Sequence, residues 1–407
     1  MTIRTLRTTT AILLLLAAAP ARSQDAPPET IDLIDVWNMI RHKPPAASET
    51  ADYTVPMKAV APVIGVKPSA GFMIGVAGNV AFFTGDPQTT HISSVVASLT
   101  FSQKHQTSLS GRIALSTKDD RWRVDGDNRA QWTSQDTYGL GTSSEIGSGV
   151  NAKYDFFRVH ETVLRQLRPA LFAGAGFHFD DHTNIHPGTD LSDADWNATA
   201  FVQYSEAHHL PLDSQISAGP SVAFVFDTRD SGIDPRRGWL VNTSYRGLIK
   251  GFLGGSSGWQ LLHAEGRTYV PLDSENRQRL AFWLFGDFTF AGAPPYFDLP
   301  ATGMDPYGRS GRGYGEGRFR GERLLYGEIE YRSTITRNGL LGWVAFLNAT
   351  TITNLEQGER LFHSGAPGAG AGLRALINKR SRTNLCFDVG FGKEGSRGVY
   401  LAVQEAF

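Results

Sequence analysis

The chain has 407 residues, and its 39 Lys and Arg against 40 Asp and Glu give a formal net charge of only −1. This balance excludes the basic excess that nucleic-acid-binding domains carry, so no nucleic-acid partner is expected. The single cysteine, Cys386, excludes an internal disulfide, so an exported protein of this length needs another source of stability.

The first 23 residues have the layout of a secretory signal peptide. Arg4 and Arg7 precede the apolar run AILLLLAAAP, and the small residues Ala21 and Ser23 follow at a cleavage spacing. A retained membrane anchor would need about 20 apolar residues, and this run is shorter. The sequence therefore predicts export, with cleavage after Ser23 or nearby.

Residues 24–58 differ from the rest of the chain. Between two pairs of prolines, apolar residues recur at helical spacing, which predicts one short amphipathic helix followed by a Pro/Ala linker; they are Ile31, Ile34, Val36, Trp37 and Ile40. This periplasmic segment is either a tether or a contact with a partner or plug. The tether is favoured, because terminal segments are usually weakly held.

From residue 59 to residue 407 the apolar spacing changes to two. In LAFWLFGDFTF, for example, Leu284 and Phe290 fall on one face while Trp283 and Asp287 fall on the other. Segments of about ten residues with this alternation are typical of transmembrane strands. Strands of a soluble sandwich alternate in the same way, so the alternation alone does not decide the class.

The connections between the strands favour a membrane barrel. We count about 16 strands, the seventh at 168–180 and the last at 397–407; short turns follow the even-numbered strands, whereas long connections follow several odd-numbered ones, at 133–149, 181–215, 292–321 and 354–366. Short turns at one end, long loops at the other and an even strand count characterise transmembrane barrels. The predicted fold is an all-β, antiparallel transmembrane barrel, since in hydrocarbon a sheet must close to satisfy its backbone.

Three motifs then resemble one family. They are GRGYGEG at 311–317, in the long loop before the twelfth strand, FDTRDSGIDPRRGW at 226–239, and GAGAGLRALI at 368–377 with the terminal CFDVGFGKEGSRGVYLAVQEAF. They resemble the Val-Arg-Gly-Phe/Tyr loop, a periplasmic turn and the closing strands of the bacterial surface antigen superfamily, the BamA/TamA-like outer-membrane barrels. The resemblance covers roughly 59–407, most of the mature chain.

This resemblance implies a protein of the Gram-negative outer membrane with a role in envelope biogenesis. The client would be a polypeptide or a lipid, inserted or translocated with the help of a weakly zipped seam between first and last strands. Pro62 on the first strand lacks a ladder donor and suits such an edge. Only about 35 residues precede the barrel, too few for a POTRA module. A POTRA-less member is therefore expected, and its alternative is a passive or loop-gated channel or a structural barrel.

The loop motif has a predicted partner on the next strand. In YGEIEYR, Ile329 and Tyr331 would face lipid, while Glu328, Glu330 and Arg332 would face the wet lumen. The resemblance identifies Arg312 as the motif arginine, with Gly313 and Tyr314 completing the motif. We expect Arg312 to pin the loop inside the lumen through Glu330, beside Glu328. The alternative is a solvated outer loop.

One residue of the thirteenth strand departs from the family pattern. Asn348 stands where relatives place a carboxylate that meets the loop arginine. It is therefore expected to act as a neutral hydrogen-bond partner of the loop.

Two further groups of residues, both at the ends of strands, are candidate functional sites. Asp227, Arg229, Asp230, Pro235 and Gly238 form either a self-paired periplasmic turn, which is favoured, or a contact for a partner. The last strand, with Val399, Leu401 and Val403 pointing outward, ends in Phe407; with Tyr400 it resembles the signal that outer-membrane barrels present to their assembly machinery.

The remaining polar clusters do not predict chemistry. His178, His182 and His186 lie in the longest predicted outer loop, where a hydrophilic surface is favoured over a metal site. GGSSG at 254–258 lacks the strand-to-helix turn of a nucleophile elbow. No enzyme, metal or cofactor is predicted, and a monomer in the lipid bilayer is expected.

Overall fold

The computed structural model describes residues 30–42, 55–67, 71–189, 191–306 and 308–407, so the predicted signal peptide and the linker at 43–54 lie outside it. Sixteen antiparallel strands form one sheet in which each strand pairs with the next along the chain. This confirms the predicted fold and strand count. The strands are β1 Met57–Lys67, β2 Gly71–Phe82, β3 Ser93–Ser102, β4 Thr107–Ser116, β5 Trp122–Thr137, β6 Val150–Arg168, β7 Leu171–Pro187, β8 Gln215–Asp227, β9 Gly238–Leu248, β10 Trp259–Pro271, β11 Gln278–Gly292, β12 Arg323–Thr334, β13 Leu341–Ile352, β14 Ala366–Asn378, β15 Thr383–Gly392 and β16 Arg397–Val403.

Each strand separates an apolar outer face from a polar inner face. On β12, Glu328, Glu330 and Arg332 are buried on the lumen side, whereas Ile329 is 48% exposed on the outside. On β11, Trp283 is buried inside and Leu284 is exposed outside. Period-two alternation dictates this arrangement, because successive side chains of a strand point to opposite faces.

The structure corrects the seventh strand. β7 continues to Pro187 instead of ending at 180, so His182 and His186 join His178 on a strand and do not lie in an outer loop. His178 and His182 are buried. Their polar composition suggested a loop, but polar residues at every second position are what a wet lumen wall carries.

In the part of the chain that the structure describes, three short α-helices accompany the barrel: α1 Leu33–Ile40, α2 Asp193–Asn197 and α3 Ala200–Ala207. Within the described ranges, none of the helices has the length and apolar character needed to cross a membrane. The predicted N-terminal helix is α1, which begins with a capping box formed by Asp32 and Asp35. Lys379, in the β14–β15 turn, donates its main-chain N–H to Asp32 at 2.9 Å and its ammonium to Asp35 at 2.8 Å. The helix therefore contacts the periplasmic end of the barrel directly.

The first and last strands meet at a seam without a backbone ladder. Over the described parts of both strands, no ladder pairs β1 with β16, whereas every other neighbouring pair in the sheet is laddered. Side chains close the gap instead: Asn79 Nδ2 on β2 donates to Thr383 Oγ1 on β15 at 3.1 Å. Val403 packs against Ala59 and Ala61. Val403 is thus buried in the seam and is not exposed to lipid as Val399 is.

Candidate functional site

The long connection between β11 and β12, residues 293–322, folds into the lumen. Its arginines Arg312 and Arg320 are among the most buried side chains described, at 0% and 1% exposure. The strand alternation puts charged residues on the inner wall, so a cationic loop finds partners there. The prediction of a merely solvated outer loop does not describe this segment.

Arg312 lies at the centre of three carboxylates from two strands. Its guanidinium contacts Glu328 and Glu330 on β12, and its Nη1 is 2.9 Å from Asp388 Oδ2 on β15. The guanidinium carbon also lies 3.6 Å from the centre of the Phe346 ring on β13. Charge-assisted hydrogen bonds in a site excluded from water are strong, so this arrangement fixes the loop to the wall.

Glycines on the wall allow the loop backbone to come this close. A Cβ at Gly390 on β15 would lie 2.7 Å from the main-chain N of Gly313, and one at Gly368 on β14 would lie 2.8 Å from the main-chain O of Arg312. Gly313 itself has a φ of +113°, which residues with a side chain rarely adopt. Close approach of the loop backbone therefore explains Gly368 of the GAGAG run of β14, whereas a Cβ at Gly370 or Gly372 would meet the Phe346 ring or the Asp388 carboxylate.

Tyrosines and Asn348 hold the main chain of the motif. Tyr400 Oη accepts from Gly313 N and donates to Tyr314 O, both at 3.0 Å. Tyr314 Oη donates to Pro367 O and accepts from Lys393 N. Asn348 Nδ2 donates to Arg312 O at 3.0 Å, so it contacts the backbone of the arginine and not its guanidinium. Tyr400 thus faces the lumen, where it binds the loop.

The other arginines of the loop also contact protein groups, and Arg309 shares Asp388 with Arg312. Arg309 reaches Asp388 at 3.1 Å. Arg318 donates to Ser144 O at 2.8 Å. Arg320 donates to the main-chain oxygens of Tyr296 and Phe297, at 2.9 and 2.8 Å. The arginines bind protein groups at all these positions, which accounts for their density on a glycine-rich loop.

The carboxyl-terminal tail enters the same space, which corrects the predicted last strand. β16 ends at Val403, and Gln404 has a φ of +77°, which turns the chain inward. Glu405 then pairs with Arg374 at 2.8 Å, and the Phe407 ring lies 5.2 Å from that of Trp283 on β11. Phe407 is therefore buried in the lumen rather than displayed at the end of a strand.

The buried charges around Arg312 balance. Arginine side chains alternate with carboxylates through direct contacts, and equal numbers of each sign keep the cluster neutral when all are ionised; the arginines are Arg309, Arg312, Arg332 and Arg374, and the carboxylates are Glu328, Glu330, Asp388 and Glu405. Sequence reasoning missed Asp388, Arg374 and Glu405. Asp388 on β15 and Arg374 on β14 occupy positions that strand alternation assigns to the lumen. This alternation could have identified them as inward-facing residues.

The β8–β9 connection, residues 228–237, is self-paired at its base. Arg229 makes a bidentate contact with Asp227, at 2.8 and 2.7 Å. Asp230 Oδ1 accepts from the main-chain N of Arg236 at 2.8 Å. Gly238 has a φ of +102°, and a Cβ there would lie 2.3 Å from Thr228 O. Pro235 is buried.

Residues 75–392, most of the chain, match the family model of the Omp85 superfamily domain. The chain belongs to the Omp85 superfamily. No curated protein matches the sequence at a significant level.

Solved structures show the same fold as this Omp85 barrel. BamA from Haemophilus ducreyi lacking POTRA domains 1–3 superposes with a TM-score of 0.53 at 13% identity, over 86% of this chain and 69% of that one. CdiB from Acinetobacter baumannii and CdiB from Escherichia coli both give 0.53 at 12% identity, over 86% and 87% of this chain. The chain spans only 60% and 62% of those two proteins. Membership of the family places the barrel in the Gram-negative outer membrane.

The Omp85 loop leaves a polar chamber of about 310 Å³ beside it, between the β3–β11 wall and residues 297–306 of the loop. Among the described residues, no group of three or more His, Cys, Asp or Glu side chains is placed to hold a metal ion. Asp298 of the loop borders this chamber. Its Oδ2 accepts from Ser217 Oγ on β8 at 2.5 Å, and its Oδ1 lies 3.6 Å from His182 Nδ1.

Asp298 predicts a pH-dependent stability. Burial, and then the nearby carboxylate of Asp180, raise the pKa of Asp298 to about 8. An unfolded aspartate titrates near about 3.9, so between about pH 4 and pH 8 only the unfolded state ionises and folded stability falls as pH rises. Asp298→Asn removes this ionisation and keeps an acceptor for Ser217. We expect the variant to match the parent at pH 4 and to exceed its stability by on the order of a few kcal/mol at pH 8.

The measurement is the midpoint of heat-induced unfolding in detergent, read by the gel mobility shift of the barrel at each pH. Asp213→Asn, an exposed aspartate of an outer loop, is the control and should change neither end of the profile. An equal gain for Asp298→Asn at pH 4 and pH 8 would contradict the prediction.

Proposed function

We propose that this Omp85 protein acts in outer-membrane biogenesis by giving a polypeptide or lipid client access to the bilayer through the β1–β16 seam. The observation that carries the proposal is the missing backbone ladder at that seam in a barrel otherwise laddered throughout its described strands. Strands that are not hydrogen-bonded to each other present unpaired N–H and C=O groups, which pair readily with an incoming chain.

The contents of the lumen support a route through the wall. The loop at 293–322 is fixed inside by Arg312, and the tail ending at Phe407 fills lumen space next to it. A client passing along the axis would have to displace both. Opening the seam breaks side-chain contacts, such as the one between Asn79 and Thr383, but no backbone ladder of the described strands. We propose no catalytic activity, and the protein would work as a monomer in the bilayer.

A cross-linking experiment tests the proposal in cells. Cysteines at Asn79 and Thr383, joined by a short thiol-reactive linker, would lock the seam; the native Cys386 is buried. Cysteines at Ala81 and Ser94, register partners in the β2–β3 ladder, provide a control link where no opening is needed. We expect the seam link, but not the control link, to reproduce the loss of outer-membrane proteins or of lipid asymmetry seen in a deletion strain. Normal envelopes with a locked seam would refute the proposal.

The alternative is a passive or loop-gated channel, and the chamber of about 310 Å³ favours it by leaving polar space inside the wall. Planar-bilayer recording separates the two functions. Steady ion flow that grows when Arg312 is replaced, together with normal envelope composition in the deletion strain, would favour the channel.

A further inference from the structure

The β8–β9 turn, residues 228–237, crosses the periplasmic mouth and contacts both sides of the seam; we refer to it as the mouth turn. On the β1 side, Ile233 is only 4% exposed and packs in one cluster with Met57 of β1 and Ala81 of β2. Phe83 and Ile92 close over the same cluster. An apolar side chain buried in this way binds the turn to the first two strands of the barrel.

On the other side of the seam, the mouth turn binds the β14–β15 turn. Asp230 Oδ2 lies 2.7 Å from Arg382 Nη1. The same carboxylate uses its second oxygen within its own turn, where it accepts from Arg236 N and Arg237 N. The Arg382 contact is therefore the part of this arrangement that spans the mouth.

Fixed contacts prevent the mouth turn from following either side of the seam. At its base, Asp227 is held by Arg229 and by Arg123 of β5, the latter at 2.9 Å. Farther along, Asp234 contacts Arg279 of β11. The turn is thus anchored to the β5–β11 part of the wall, so moving β1 away from β15 must break either the Ile233 packing or the Asp230–Arg382 pair.

We propose that the mouth turn is a latch that holds the periplasmic end of the seam closed, with Ile233 and Arg382 as its two contact points. Release of either contact frees one side of the seam. This inference goes beyond the proposed function, because it concerns how the seam is kept closed. It does not depend on which client, if any, passes through the seam.

Cysteine accessibility at the seam measures the latch directly. Ala59 on β1 is 3% exposed, so in the full-length protein purified in detergent an Ala59→Cys reporter reacts with a maleimide only when the seam opens. Parent protein carrying only Cys386, which is buried, gives the background rate. We expect Arg382→Gln to raise the reporter's labelling rate about threefold, since the pair it removes is partly exposed. Ile233→Ser should raise the rate about tenfold or more.

Two controls keep the result specific. Arg277→Gln removes an arginine of similar exposure whose ion pair with Glu275 stays within the β10–β11 turn, and it should leave the labelling rate unchanged. A reporter at Ala281, fully buried on β11 away from the seam, should stay unreactive in every variant. Unchanged labelling at Ala59 in both latch variants would overturn the proposal, and so would equal acceleration at Ala281. Because labelling needs no client, a failed latch and a failed biogenesis function give different results.

Discussion

Arg312→Ala is expected to destabilise the barrel by about 3–5 kcal/mol, the usual effect of removing one partner from a buried ion pair. The side chain is fully buried among Glu328, Glu330 and Asp388. Without Arg312, Glu328 loses its counter-ion and keeps the hydrogen bond from the hydroxyl of Tyr326. An uncompensated carboxylate in a site excluded from water carries the full desolvation penalty.

The same substitution should release the loop. We expect the heat-induced mobility shift of the purified barrel to occur at a lower temperature and residues 293–322 to become sensitive to protease added to intact cells. Arg312→Lys keeps the charge but loses the planar fork that serves several carboxylates at once, so an intermediate loss is expected. Arg360→Ala, at an exposed arginine of another outer loop, should have no effect.

A paired variant covers the case in which Arg312→Ala fails to assemble. Arg312→Met with Glu328→Gln removes a cation and an anion together, so no charge is left without a counter-charge. We expect this double variant to be more stable than Arg312→Met alone, with a coupling of about 0.5–3 kcal/mol, because the two residues are in contact. Additive effects, or an Arg312→Ala barrel with unchanged heat resistance, would show that the contact does not fix the loop.

The sequence was sufficient for the parts of the structure that depend on periodicity. Alternation on β12 assigns Glu328 and Glu330 to the lumen, and a long connection rich in arginine and glycine precedes that strand. The meeting of Arg312 with these carboxylates follows from those two facts once the loop turns inward. The family resemblance predicted that the loop folds into the lumen. The local sequence pattern alone does not predict this.

Contacts between segments that are distant along the chain could not be predicted from the sequence. Asp388 of β15 supplies the third carboxylate at the Arg312 guanidinium, while Asn348 of β13 donates to the main-chain oxygen of Arg312. Alternation shows that Asp388 faces inward, but many charged residues do so, and only the path of the loop selects among them. The mouth turn is a similar case: its self-pairing is local and predictable, whereas the contact of Ile233 with β1 depends on the diameter and closure of the barrel.

The prediction for the end of the chain was wrong for a different reason. The apolar alternation of β16 continues to Val403, so extending the strand to Phe407 was the simplest interpretation. Gln404 breaks it with a φ of +77°, a conformation that residues other than glycine, asparagine and aspartate seldom adopt. Contacts made by Glu405 and Phe407 inside the lumen stabilise that turn, and they cannot be read from the strand itself.

Phe407→Ala is therefore expected to weaken the folded barrel itself, by about 3–5 kcal/mol if the site relaxes as other buried aromatic positions do. The ring is 3% exposed and packs against Trp283, while the guanidinium carbon of Arg332 lies 5.0 Å from its centre. Arg332 Nη2 also donates to the main-chain oxygen of Phe407 at 2.9 Å. Truncation to Ala leaves that hydrogen bond available but removes the ring that shields it from water.

Refolding into detergent separates this packing from a role in assembly, because no assembly machinery is present. A lower unfolding midpoint for refolded Phe407→Ala, with Phe391→Ala unchanged as the lipid-facing control at 59% exposure, would show that the terminal ring stabilises the lumen. If the refolded variant is as stable as the parent and only its assembly in cells is impaired, the ring serves as a recognition signal and its packing adds little. The two outcomes are distinct because recognition would precede membrane insertion, whereas the packing of Phe407 against Trp283 exists only in the folded barrel.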